Sequence, residues 1–257
     1  MTHAPLPTAL RGSRLVRFLS DLAIADVEIS HKDFPERLGR LIELADSIDL
    51  SSAHGKLSTT KSKPGPETGK ALSRNSVSED FLAARKAIVE SIISSFAPGS
   101  GALWSGLRKA KAAASAEEVV SHERYQLFYV NQQREIAGKV DKLRSHIRAT
   151  LSGRSSRLAR LAVLDATLEA TLSAPTRKLF AEVPKLLGKR FEWLYQGHQQ
   201  TIAVQQGRDN PQLANQAGGW LEQFTAEMQA SLLAELDARL QPVLGLIEAL
   251  YEEVEES

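Results

Sequence analysis

The strongest constraint on how this chain folds is a run of apolar residues between positions 232 and 254. Leu232, Leu236, Leu240, Val243, Ile247, Leu250 and Val254 recur at intervals of 4, 4, 3, 4, 3 and 4. That rhythm draws one apolar stripe along a helix; a strand, whose side chains alternate every second residue, does not produce it. A stripe of this length needs a helix packed over it to leave water. The cover comes from a neighbour in the same chain, a second copy, or another protein, and periodicity does not choose among them. These seven residues are therefore a candidate partner-helix seam.

The rest of the chain predicts the same fold class. Helix formers dominate, and no run of alternating β-branched residues bounded by turn signals occurs, so the expectation is an all-α protein. A helix from Thr8 to about Ala25 carries Leu15, Val16, Leu19 and Leu22. A second opens at Asp33, with Pro35 in its first turn, and carries Leu38, Leu41, Ile42 and Ala45. Together they predict a separate N-terminal helical hairpin over residues 1–50. Residues 51–76 are rich in Ser, Thr, Gly, Pro and Lys, which predicts a disordered linker. Residues 77–257 then form the main bundle, elongated and built from long antiparallel coiled-coil-like helices.

Within that bundle, Ser76 and Glu79 match a capping box before Phe81, Ile88, Ile92 and Ile93. A glycine-rich loop covers 98–106. Ser115 and Glu118 form a second capping box, and the helix after it runs to Gly153 with Ile136, Val140, Leu143, Ile147 and Leu151 in its seam. Gly153 is the expected stop and Ser156 the cap of the returning helix, whose Leu158, Leu161, Leu164, Leu168 and Leu172 are expected to face that seam. Pro175 is expected to begin a further helix, broken or kinked near Pro184, holding Leu179, Phe180, Leu187, Phe191 and Leu194. That helix is expected to fade over 196–216. The last helix starts near Trp220, with a kink at Pro242.

Composition excludes several chemistries. The chain has no Cys, which removes disulfides, thiolate metal sites and cysteine nucleophiles and suits a reducing cytoplasm. The apolar stretch 15–24 is interrupted by Arg17 and Asp21, and no window reaches the length of a spanning helix, so neither a signal peptide nor membrane insertion is expected. Residues 101–106 (GALWSG) have the glycine spacing of a phosphate loop, but Leu107 and Arg108 stand where Lys and Ser or Thr are required. His122-Glu123 begins like a zinc-protease helix, yet Gln126 occupies the second ligand position. No Gly-x-Ser-x-Gly elbow occurs. Ser58 and Lys61 have β-lactamase-like spacing, but they fall in the linker. No residue is assigned to catalysis, a cofactor or a metal, and no enzyme activity is expected.

Charge carries more information than its total of +1. Residues 1–80 hold 11 bases and 11 acids, 81–208 hold 20 and 10, and 209–257 hold 1 and 10. Lys139, Lys142, Arg144, Arg148, Arg154, Arg157 and Arg160 surround the Gly153 elbow with Asp141 as the lone acid among them. This patch reads either as a phosphate or nucleic-acid contact, or as a solvated helical face that an acidic segment of the chain neutralises. Phe180, Phe191, Trp193, Tyr195, Trp220 and Phe224 read either as an aromatic groove or as core.

Residues 15–22 (LVRFLSDL), the variable linker, 124–129 (RYQLFY) and 157–165 (RLARLAVLD) resemble a bacterial helical family of unknown function. The resemblance covers most of the chain. It implies occurrence beside MotA/ExbB-like and OmpA-like envelope proteins, hence a cytoplasmic accessory of a membrane complex, and it carries over no functional residue. The combined expectation is a helical scaffold or adaptor that binds a protein partner or itself. A nucleic-acid-binding protein using the basic elbow is the second reading.

Overall fold

A computed structural model describes residues 74–97, 122–206 and 219–255. The expected hairpin over 1–50, nearly all of the linker, the glycine-rich loop and the second capping box lie outside the described residues. Within them the chain is all-α. The helices are α1 (Arg74–Phe96), α2 (His122–Ser152), α3 (Ser156–Gln206) and α4 (Gly219–Glu255).

Side-chain contacts give their directions. Asp80 meets His146 while Phe96 meets Phe128, so α1 runs antiparallel to α2. Arg144 meets Asp165 while His122 meets Phe191, so α2 and α3 form an antiparallel hairpin. Tyr125 meets Phe224 while Gln133 meets Glu235, which makes α4 parallel to α2. The result is an up-down-up-down arrangement in which α1 and α3 each pack on both α2 and α4.

The core explains the seams. Leu232, Leu236, Leu240, Val243, Ile247 and Leu250 are all buried, together with Ile136, Val140, Leu143, Ile147 and Leu151 of α2. Val77, Phe81, Ile88 and Ile92 complete this core from α1, whereas Ile93, expected beside them, is half exposed. From Leu232 to Leu250 the α4 stripe is thus covered by the chain's own helices and is not an open surface; the Val254 side chain lies outside the described ones. At about 25 cal/mol per Å2 of buried apolar area, this internal seam supplies much of the drive for folding.

Three local expectations need correction. The linker boundary at 76 falls inside α1, which begins at Arg74. At the elbow, Ser155 rather than Ser156 caps α3: its Oγ accepts a hydrogen bond from the Leu158 N–H at 3.1 Å. And α3 is one helix of 51 residues that passes through both Pro175 and Pro184 and continues to Gln206. Proline at 184 cannot donate to the Phe180 carbonyl four residues back, which ordinarily breaks a helix. Here the amide of Gln133 on α2 donates to that carbonyl at 3.1 Å, inside the core. A neighbouring helix replaces the bond that the sequence removes.

Candidate functional site: the outward face of α3

Two faces of α3 compete for its apolar residues. Toward α2 and α4 it turns Leu158, Ala162 and Asp165, then Phe180, Val183, Leu187, Phe191 and Leu194, all buried. Of the five leucines expected against α2, Leu158 is buried as expected and the other four are only partly covered. Leu161 packs on the rim of the core, and Leu164, Leu168 and Leu172 are half-buried. From Leu172 the second stripe continues outward at seven-residue intervals through Leu179, Leu186 and Trp193. Leu179 is 43% exposed and Trp193 52%, with Leu186 half-buried between them.

Trp193 is held in place. The Arg190 guanidinium lies 4.6 Å from the centre of its ring, and the same guanidinium donates two hydrogen bonds, of 2.8 and 2.7 Å, to the Glu227 carboxylate on α4. This forked ion pair is mostly buried, so it fixes Arg190 and through it the indole. A large, pre-ordered aromatic in line with a stripe of leucines has the composition of a protein-binding anchor. Arg177, Lys178, Lys185 and Lys189 stand exposed beside the stripe, with Glu182 and Glu192.

The basic elbow is not assembled as one surface. Arg144 donates from Nε and Nη2 to the two Asp165 oxygens at 2.8 and 2.5 Å. Arg148 Nη1 bridges Asp165 at 3.0 Å and Glu169 at 2.5 Å. Burial opposes the charge on Arg148, but its bonds to Glu169 and Asp165 raise its pKa further. Asp141 has its carboxyl pushed up by burial and then by Glu169, against the pull of Arg239, Arg144 and Arg148. Lys139 donates to Glu135 at 2.6 Å and to Ser91 at 3.1 Å. Arg154 is half-buried; Lys142, Arg157 and Arg160 are exposed. The central guanidiniums of the predicted patch therefore zip α2 to α3. They are neutralised by Asp165 and Glu169 of α3, an acidic segment of the same chain.

Where α2, α3 and α4 cross, a second polar group is sealed inside. Glu235 is fully buried. It accepts hydrogen bonds from Tyr129 at 3.3 Å, from Gln133 at 2.7 Å, and from Arg239 at 2.9 and 2.7 Å. The Arg239 guanidinium also sits 3.9 Å from the centre of the Phe180 ring. Burial pushes the Tyr129 hydroxyl well above its usual range, and Glu235 adds to this. The group has no open approach and serves to lock the register of three helices.

The aromatic residues divide. Phe191 is a hub, with Tyr125, Phe224 and Trp220 centred 5.5, 5.0 and 5.3 Å away. His122 lies 5.4 Å from the same ring and packs on Gly188, where an added Cβ would approach its Cε1 to 2.8 Å. Burial lowers the His122 pKa, against Glu192 and Glu123. Burial also pushes the Tyr125 hydroxyl up to about 12, and among the described residues this hydroxyl has no hydrogen-bond partner. It borders a narrow crevice, shared with His122, Pro184, Leu187 and Met228, that has no room for a water molecule. Phe180 is buried apart from this group, and Trp193 alone of the predicted aromatics is more than half exposed.

A family model described as protein of unknown function (DUF3348) matches residues 1–252. The chain belongs to that family. No curated protein and no solved structure matches it. Among the described residues of this DUF3348 member, no helix is long and apolar enough to cross a membrane.

Proposed function

We propose that the chain is a non-enzymatic helical scaffold or adaptor that takes a protein partner on the outward face of α3. The observation that carries this reading is Trp193, clamped by Arg190 and Glu227 at one end of the Leu172, Leu179, Leu186 stripe. It is an ordered apolar surface that the core of the bundle leaves outside. A cytoplasmic position beside a membrane complex of the MotA/ExbB-like and OmpA-like kind belongs to the same reading and rests on the sequence resemblance.

The test is quantitative capture of a protein partner from the native host with wild-type chain and with Leu179→Glu combined with Trp193→Glu. The reading expects a stoichiometric partner lost in the variant while the melting temperature barely moves. A partner retained by the variant would count against the α3 face. The nucleic-acid reading keeps exposed Lys142, Arg157 and Arg160 but not Arg144 and Arg148, whose charges face Asp165 and Glu169. DNA affinity that falls steeply with salt and is lost on replacing Arg157 and Arg160 would reinstate it.

A further inference from the structure

We infer that the outward face of α3 takes the same face of a second copy of this chain, the two helices running antiparallel about a two-fold axis at Leu186. The inference rests on the reading of that face as a docking surface and names its occupant.

Spacing makes the face its own complement. Leu179, Leu186 and Trp193 recur every seven residues, so the stripe matches its own reverse: Leu186 meets Leu186 of the second copy, and each Leu179 meets a Trp193. These are the residues of α3 that the core leaves outside, and Trp193 is already ordered by Arg190 and Glu227, which lowers the entropic cost of docking it. Charge then selects the direction. The residues three after and one before each member of the stripe lie on one flank of it: Lys178, Glu182, Lys185, Lys189 and Glu192, all exposed. An antiparallel two-fold axis at Leu186 lays this flank on itself. It sets Glu182 beside Lys189 of the second copy and Lys178 beside its Glu192, and the symmetry repeats both meetings. Only Lys185 meets its like, at the axis, and there Glu182 of its own chain holds it at 2.7 Å. Parallel copies would lay the same flank on the side that carries Thr176, Val183 and Arg190, which offers no acid to Lys178 or Lys189.

Sedimentation velocity of the full chain tests the pairing. Three layers make a small interface, so monomer–dimer exchange is expected between about 1 and 100 μM. Glu182→Lys alone sets lysine beside Lys189 at both places, and Lys189→Glu alone sets glutamate beside Glu182, so each weakens the dimer by about tenfold or more. Mixing the two variants restores it, because the mixed dimer again pairs acid with base at both places. Loss of the fold in either variant does not produce that recovery. The chain has no Cys, so a single introduced thiol reports the direction. Under mild oxidation Leu186→Cys links two chains, whereas Leu179→Cys, about 21 Å from its own counterpart, does not. A chain that stays monomeric to about 100 μM overturns the second copy and leaves the protein-partner reading to its capture test. A dimer that survives Leu179→Glu combined with Trp193→Glu also overturns the inference, since the copies then meet elsewhere. Mixed variants that pair no better than each alone overturn the antiparallel register.

Discussion

The α4 seam and the α3 stripe are written in the same alphabet and end in opposite places. Both space large apolar residues at heptad-like intervals. Leu236 and Leu240 are 0% and 1% exposed, Leu179 and Trp193 43% and 52%. The difference lies in the other residues of each helix. α4 offers one strong stripe, and three helices close over it. α3 carries two stripes, and the one containing Phe180, Val183, Leu187 and Phe191 wins the core because its rings fill the space between α2 and α4. A heptad seam thus announces that a helix will bury something; it does not say which seam is left for a partner.

The largest expected effect tests what locks the α4 seam in register. Glu235→Ala leaves Arg239 and Gln133 facing an empty buried site and should cost about 3–5 kcal/mol in denaturant unfolding. Replacing Glu235 and Arg239 together with Met should recover most of that loss.

Next, Leu236→Ala should cost about 2–5 kcal/mol, whereas Leu179→Ala should stay within about 0.5 kcal/mol. Equal costs would erase the distinction between buried seam and outward stripe.

A smaller effect concerns how α3 survives its prolines. Gln133→Leu strands the Phe180 carbonyl and should cost about 1–3 kcal/mol. Pro184→Ala restores an N–H for that carbonyl, so the double variant should lose less than the sum of the singles. Simple additivity would show that Gln133 does not substitute for the missing helical bond.

The pH response is gentler, and its sign follows from the shifts. Tyr125 and Tyr129 hold their protons more tightly when folded, so stability declines as pH rises above the ordinary tyrosine value of 10 and the folded hydroxyls titrate. His122 has a lowered folded pKa, so its contribution is present above 6.5 and fades as pH falls through the lowered value. Melting temperatures of wild type and His122→Gln between neutral and mildly acid pH should converge as pH falls.

Much of this architecture was legible in the residues. The absence of strand patterning, the α2 and α4 seams and the Gly153 turn follow from spacing that local physics enforces. Less legible was what depends on partners distant in sequence. Pro175 and Pro184 read as breaks because the donor that compensates at 184, Gln133, lies 47 residues from the carbonyl it serves. Arg144 and Arg148 read as a free patch because Asp165 and Glu169 become their neighbours only once the hairpin closes. One signal was available: Gln133 interrupts the seam of Tyr129, Ile136 and Val140, and a polar residue at such a position needs a buried partner. For the outward stripe, the seven-residue recurrence of Leu172, Leu179, Leu186 and Trp193 was visible, but only the structure shows which side of α3 it takes.

The most direct test of the account sets the two seams against each other in one experiment. A photo-cross-linking residue is placed in the full chain either at 186, within the α3 stripe, or at exposed 241, on the outer side of α4. Adducts from 186 to a protein partner are expected, and few from 241. Adducts from 241 with none from 186 would contradict it.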